Sequence, residues 1–248
     1  MPNIAFKIIN LSECASTNEE AKKWIKELVQ PEGLVVSAYK QSAGKGMANN
    51  KWLSDDGKNL LCSIVINPNI ALKNAFILNC LSCLAIQQVL LKNGITNSSI
   101  KWPNDILVNN KKIAGILIEN IISDNLIKHA IIGIGLNINQ LSFNNPTFNR
   151  TATSIVLETK IENAIPQILS ELLTEIDSIY SLIINNPISI LQKYINQLYL
   201  MDIPSLFVVD NEEITLIIRG IGNDGALITE DLNGNRRKFE SKEIKFLV

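Results

Sequence analysis

The sequence predicts an α+β fold: a mixed, largely antiparallel sheet covered by helices on one face over residues 1–199, then a small SH3-like β-barrel over residues 200–248. Three observations carry this. Short β-rich runs alternate with helix-period segments through the first two hundred residues. One segment, Asn74 to Lys92, is apolar almost all round and reads as a buried helix. Beyond Met201 the pattern changes to short strands separated by Asn-, Asp- and Gly-rich turns.

Composition agrees with one sizeable core and a small appendage. Of 248 residues, 46% are hydrophobic and 19% charged, which excludes a disordered or collagen-like chain. Lys plus Arg number 23 against 24 Asp plus Glu, a net charge of −1 that supplies no field to hold a nucleic-acid backbone, so no DNA partner is expected. No cationic leader opens the chain and no apolar run approaches the ~18 residues of a membrane span, so a cytoplasmic protein without a membrane partner is expected. Of four cysteines, Cys80 and Cys83 have C-x-x-C spacing but sit inside the apolar helix without a second pair. They read as reduced core residues rather than zinc or redox ligands.

Residues 4–11 form a short apolar strand. Ser16-Thr17-Asn18-Glu19-Glu20 then opens a helix with Ala21, Trp24, Ile25 and Leu28 on one stripe, and Ser16 with Glu19 matches a capping box. Leu34 to Tyr39 and Leu60 to Ile66 are strands. The loop between them runs from Gln41 to Trp52, and its Gly44 and Gly46 permit close backbone approach to a phosphate, with Lys45 adding charge. The buried helix ends at Asn93-Gly94.

The chemistry concentrates in Lys101 to Glu119. Pro103 has no N–H and Trp102 before it is pushed to an extended conformation, so the run cannot be a helix interior. Ile106 to Val108 and Lys112 to Ile118 are strands around Asn109-Asn110-Lys111, where asparagine tolerates the φ > 0 of a tight hairpin. Stiff backbone therefore presents Lys101, Asn104 and Asp105, with Lys112 opening the adjoining strand. Such a group suits an anionic substrate.

Ile127 to Ile134 is a strand that continues through Gly135 to Asn139. His129, the only histidine, reads as solvent-facing, which leaves no mid-pH base for a Ser-His-Asp or Cys-His mechanism. Residues 140–150 are a loop and 161–184 an amphipathic helix. Pro187 starts another helix with Leu191, Tyr194, Ile195 and Leu198 apolar. Leu206 to Val209, Glu213 to Arg219, Ala226 to Thr229, Arg236 to Phe239 and Ile244 to Leu247 are the five barrel strands.

The Lys-Trp-Pro-Asn-Asp run at 101–105, followed across a hairpin by Lys112 and Gly115, resembles the core of biotin protein ligases. Ser16-Thr17-Asn18, the loop from Gln41 to Trp52, the Gly133-Gly135-Asn137 segment and Thr151 to Ser154 match further family segments, and the resemblance covers nearly the whole chain. It implies the catalytic fold shared with class II aminoacyl-tRNA synthetases. It implies ATP-dependent activation of biotin as biotinyl-5′-AMP, with Mg²⁺, and transfer to a lysine of a biotin carboxyl carrier protein. Carried over by position, biotin would be held by Ser16, Thr17, Asn18, Gln41, Lys45, Gly46, Met47, Lys112, Gly115 and Gly133. ATP and the adenylate would be held by Lys45, Asn50, Trp52, Lys101, Asn104, Lys112 and Asn137. Lys112 would hold the carboxylate, Lys101 would stabilise the α-phosphate, and Asp105 would orient or deprotonate the incoming amine. The ligands for the metal stay unassigned.

The loop departs from the family pattern. Lys45 replaces an arginine, Met47 stands where arginine is frequent, and Asn49 replaces a glycine; neither lysine nor methionine supplies a bidentate fork. The catalytic pattern begins at Ser16 with no room ahead of it for a helix-turn-helix, so a repressor role is disfavoured. A homodimer is left open. A lipoate or octanoyl ligase of the same superfamily and a non-catalytic biotin or nucleotide sensor are the alternatives.

Overall fold

The computed structural model describes residues 4–47, 50–143 and 152–247. The larger sheet begins with β1 (Lys7–Cys14), β2 (Leu34–Gln41), β3 (Leu60–Ile66) and β4 (Ile70–Ala71). It continues with β5 (Ser98–Lys101), β6 (Asp105–Val108), β7 (Lys111–Ser123) and β8 (Leu126–Leu136). Their order is β1-β2-β3-β8-β7-β6-β5, with β4 on β8. Among the described strands of this sheet β1 and β2 pair in parallel and the other ladders are antiparallel, with β5–β6, β6–β7 and β7–β8 joined by short turns. Asn109 and Asn110 take φ of 50° and 62° in the β6–β7 turn, the role expected of them.

Five helices follow the same chain: α1 (Thr17–Glu27), α2 (Ile77–Lys92), α3 (Ile155–Thr159), α4 (Ile165–Asn185) and α5 (Pro187–Ile195). A single 3-10 turn at Leu72–Asn74 precedes α2, so the helix starts three residues later than its apolar pattern. Likewise α4 starts at Ile165 rather than at residue 161: Lys160 at φ 64° ends α3, and Ala164, extended before Pro166, is the N-cap of α4. The segment Leu72–Lys92 is long and apolar enough to cross a membrane, which corrects the expectation of no such run. It is 67% buried, packed between the sheet and the helices α4 and α5, as a core helix is.

Helices cover both faces, not one. α2, α4 and α5 share a core with Val35, Ile64, Ile66 and Ile132. Ala21 of α1 packs on Leu34, Val36, Val65 and Ile131, the alternate residues of the same strands. The cause lies in β3, every residue of which is buried; a strand apolar on both sides needs cover on both.

The second sheet comprises β9 (Ser205–Val209), β10 (Glu212–Ile221), β11 (Leu227–Asp231), β12 (Arg236–Phe239) and β13 (Ile244–Phe246), in the order β12-β11-β10-β9-β13. These are the five strands expected of the SH3-like unit; among the described residues no ladder joins β12 to β13. Phe207, Leu216, Ile218 and Phe246 belong to the same hydrophobic cluster as α2 and Tyr194. Trp102 Nε1 donates to Gly225 O at 2.9 Å, tying the Trp-Pro corner to the second sheet. The Trp102–Pro103 peptide is cis.

All four cysteines are free and buried, and desolvation pushes the Cys62 thiol to about 12 and those of Cys80 and Cys83 upward too. His129 is half-buried rather than solvent-facing, its Nδ1 2.6 Å from Asn67 Oδ1.

Candidate functional site

Three groups of side chains meet on the face of the sheet that carries α1. The first sits at the N-terminus of that helix. The backbone N–H and the hydroxyl of Thr17 both donate to Gln41 Oε1, at 2.7 and 3.1 Å. Ser63 Oγ lies 2.7 Å from Thr17 Oγ1 and 2.5 Å from Asn18 Oδ1. Asn18 Nδ2 donates to Glu119 Oε2 at 2.8 Å and to Leu117 O at 3.3 Å. Lys22 closes the network on Glu119 at 2.7 Å and on Glu19 at 3.0 Å; burial alone would lower its pKa, and the two carboxylates raise it instead. The capping box is not formed. Ser16 is buried at the N-cap position but makes no side-chain cap bond, and the Glu19 carboxylate turns instead to Lys45 and Lys22.

The second group lies over β7 and β8. Gly115 and Gly135 are register partners, and the Trp52 indole lies over both. A Cβ on Gly135 would overlap the indole, one on Gly133 would overlap Asn18 Oδ1, and one on Gly115 would meet Trp52 and the Lys112 side chain at 3.0 Å. Side-chain absence at these three positions makes a flat floor. Lys112 Nζ stands 5.5 Å from the Trp52 ring centre and 2.6 Å from Asp105 Oδ1. The Trp52 Nε1–H is buried without a partner among the described residues, an orphan donor beside a cation. Thr153 N donates to Lys112 O at 2.9 Å, and Asn137 Nδ2 to Thr153 O at 3.0 Å, which pins the start of β7.

The third group is the loop before β3. Lys45 and Lys51 form an antiparallel bridge, Gly46 N donates to Asn50 O at 2.7 Å, and Asn50 N to Met47 O at 3.1 Å, so residues 45–47 and 50–51 are held side by side. Lys45 Nζ is 2.5 Å from Glu19 Oε1, which ties the loop to α1. The Lys45 ammonium, and then Lys22, hold the Glu19 carboxyl below its usual range.

The expected residues are thus partly gathered and partly not. Thr17, Asn18, Gln41 and Gly133 form one end, and Trp52, Asp105, Lys112 and Gly115 the other. Lys101 is the register partner of Asp105, yet its Nζ stands 5.0 Å from the Phe246 ring centre in the second sheet. Asn104 is buried and donates from Nδ2 to Ile116 O at 2.5 Å, and Asn137 is spent on Thr153; both hold backbone. Ala48, Asn49 and residues 144–151, including Arg150 and Thr151, lie outside the described residues. Sequence reasoning missed Ser63, Lys22 and Glu119, and it noted Gly135 in a matching segment without placing it in the binding set. A signal existed for Ser63, the one polar residue in an otherwise apolar strand.

The arrangement sets neutral donors and acceptors at one end and a cation beside an indole at the other, with Asn18 and Trp52 packed against the glycines between them. That suits a ligand with a polar head and a carboxylate tail. Among the described residues no group of three His, Cys, Asp or Glu could hold a metal ion.

Comparison with known proteins bears on the family and the fold. The family model described as "Biotin/lipoate A/B protein ligase family" matches residues 12–137. The bifunctional ligase/repressor BirA of Bacillus spizizenii is 40% identical over 112 residues, 45% of this chain and 34% of that relative. The biotin–[acetyl-CoA-carboxylase] ligase of Paracoccus denitrificans is 35% identical over 130 residues, 52% of this chain and 53% of that one. The match therefore spans between a third and about half of these two relatives. A solved biotin protein ligase from Aquifex aeolicus, in complex with biotin and ATP, superposes with a TM-score of 0.79 at 24% identity over 96% of this chain and 97% of that one, which establishes the fold.

Proposed function

Because the chain belongs to the biotin/lipoate A/B protein ligase family, we propose that it activates biotin with ATP as biotinyl-5′-AMP and passes the biotinyl group to a specific lysine of a biotin carboxyl carrier protein. The observation that carries the reading is Lys112, paired with Asp105 and set beneath Trp52 beside the glycine floor. A carboxylate laid along the floor meets Lys112 first. One carboxylate oxygen attacks the α-phosphorus, the bond to the β-phosphate oxygen breaks, and pyrophosphate leaves. The acceptor amine then attacks the acyl carbon, AMP departs with the mixed-anhydride oxygen, and Asp105 takes the amine proton. Lys101 serves the α-phosphate by swinging from Phe246, and the Lys45 to Lys51 loop closes over the anhydride to exclude water. When bound with the nucleotide phosphates, Mg²⁺ would supply charge neutralisation to them, and no side chain of this chain is assigned to hold it.

Biotin is favoured over lipoate or octanoate by the cluster of Thr17, Asn18, Gln41 and Ser63. A ureido ring carries N–H donors and a carbonyl with which these groups can exchange hydrogen bonds, whereas an alkyl chain offers them none. Ser16, Gly46, Met47 and Asn50 remain in the proposed binding set, and the boundary near residue 199 is proposed as a domain division. Repression, part of the Bacillus relative's name, is not carried over, since the match covers 34% of that protein. We place the protein in the cytoplasm, in keeping with four free cysteines. Incubation with ATP, biotin and a carrier domain, read by intact mass of the carrier, tests the reading. A biotin-sized mass increase is expected; binding of biotin or nucleotide with no mass gain on the carrier would leave the non-catalytic sensor, and lipoyl transfer in its place would favour the sister activity.

A further inference from the structure

Glu119 has no part in the chemistry set out above, yet it stands directly behind the polar end of the site. Asn18 Nδ2 donates to two acceptors on β7, Leu117 O at 3.3 Å and Glu119 Oε2 at 2.8 Å. Both hydrogens of the amide nitrogen are thereby spent. A carboxylate can only accept, so Glu119 fixes which way the Asn18 amide faces, with nitrogen toward β7 and oxygen toward β3 and β8. Asn18 Oδ1 accordingly faces the Ser63 hydroxyl at 2.5 Å and lies against Gly133, where a Cβ would overlap it.

The hydrogens of the cluster decide what this end asks of a ligand. Thr17 spends its N–H and its hydroxyl hydrogen on Gln41 Oε1, and Ser63 has a single hydrogen within reach of two oxygens, Thr17 Oγ1 and Asn18 Oδ1. Asn18 Oδ1 has two lone pairs, so acceptor capacity remains there for a ligand N–H. Lys22 holds the other side of Glu119, 2.7 Å from Oε1. Its ammonium only donates, so a side chain at position 119 must present an oxygen to it.

We propose that Glu119 is a positioning residue for the ureido head of the substrate: acting through Asn18, it keeps an amide oxygen, and not an NH2, turned toward the ligand's N–H. Lys22 sets the polarity of that link. The inference rests on the biotin reading above and adds to it two residues that work through Asn18. An isosteric change exposes the logic. In Glu119→Gln the Lys22 ammonium claims the new amide oxygen, the new NH2 points at Asn18, and Asn18 turns its own oxygen to meet it. The site then offers a donor to a ligand donor. Removing Lys22 as well lets the amide at 119 turn its oxygen back to Asn18, which restores the original direction.

The test is calorimetric titration of biotin into the full chain carrying Glu119→Gln, Lys22→Met or both, with biotin-dependent ATP–pyrophosphate exchange measured beside it. Glu119→Gln should raise Kd and KM for biotin about tenfold, the scale of one hydrogen bond lost and one donor opposed, with kcat at saturating biotin and KM for ATP near wild type. Lys22→Met alone should change Kd less than about threefold, because Glu119 still accepts from Asn18, and in the double variant it should bring Kd back to within about threefold of wild type. Loss of packing would give no such rescue. Unchanged biotin Kd in Glu119→Gln would overturn the proposal, as would a double variant that binds no better than Glu119→Gln. Should Glu119→Gln not fold, Glu119→Ala decides the matter by the same constant, with a rise of about threefold expected and no rise overturning the proposal. A wild-type protein that binds biotin without exchange would sink the ligase reading while the variants' Kd values still decide this inference; one that binds no biotin would end both.

Discussion

Replacing Lys112 by alanine removes the cation at the carboxylate end of the site and the partner of Asp105 together. The ion pair is 2.6 Å long, with side chains 30% and 20% exposed, so its loss costs about 1 kcal/mol of stability, and the contact with Trp52 adds roughly 0.5 kcal/mol. For a chain of this size that lowers Tm by about 3–6 °C, leaving a folded protein. The effect on adenylation should be larger. A hydrogen bond to a charged group is worth about 1.5–3 kcal/mol, and at about 1.36 kcal/mol per decade its loss slows the first step by roughly ten- to a hundredfold. Pyrophosphate release at saturating biotin and ATP measures this, with circular dichroism to verify the fold. Asp105→Asn provides the counter-test: it frees Lys112 and removes a carboxylate that repels biotin's own, so biotin should bind about fivefold more tightly while acyl transfer slows. Wild-type release rates in Lys112→Ala would refute the assignment of Lys112 to the substrate carboxylate.

Met47→Arg should lengthen adenylate residence about tenfold, since methionine offers the phosphate no N–H; bystander proteins should then acquire less biotin, and an unchanged dissociation rate would mean the loop already compensates. Gly135→Ala should displace the Trp52 indole and weaken adenylation more than Gly115→Ala, whose new methyl meets a movable lysine chain as well as the ring; equal kinetics in the two variants would contradict the floor. Because the Glu19 carboxyl is held below its usual range, its tie to Lys45 is complete above the unfolded value of about 4.3 and is lost as pH falls through the lower folded value. Hydrogen-exchange protection of the Gly46 amide should therefore drop between about pH 5 and 3, and Glu19→Gln should lack that drop. A chain ending at Leu200 should lose stability, because Trp102, Tyr194 and α2 share their core with the second sheet, and where it folds it should still bind biotin; complete loss of binding in a folded truncation would count against the proposed boundary.

Local chemistry along the chain determined the elements and the central motif. The φ > 0 demand of a hairpin turn selects Asn109-Asn110, an apolar run with no polar face selects a buried α2, and the pairing of Trp102 with Pro103 forces a corner that cannot be helical. Such preferences act within a few residues, so they are legible in a single sequence. The floor and its covering were decided elsewhere. Gly115 and Gly135 become one surface only through the β7–β8 register, and Trp52 covers them from a loop more than fifty residues away in sequence. Glu19 satisfied the local rule for a capping box, yet its carboxylate turns to the ammonium groups of Lys45 and Lys22, where both partners of each bond carry charge. Lys101 and Asn104 stood in one pentapeptide with Asp105, but stacking on Phe246 and a bond to Ile116 O send them in different directions. Which side of a strand each residue faces, and what waits there, depends on ladders between segments distant in the chain. That information belongs to the tertiary structure alone.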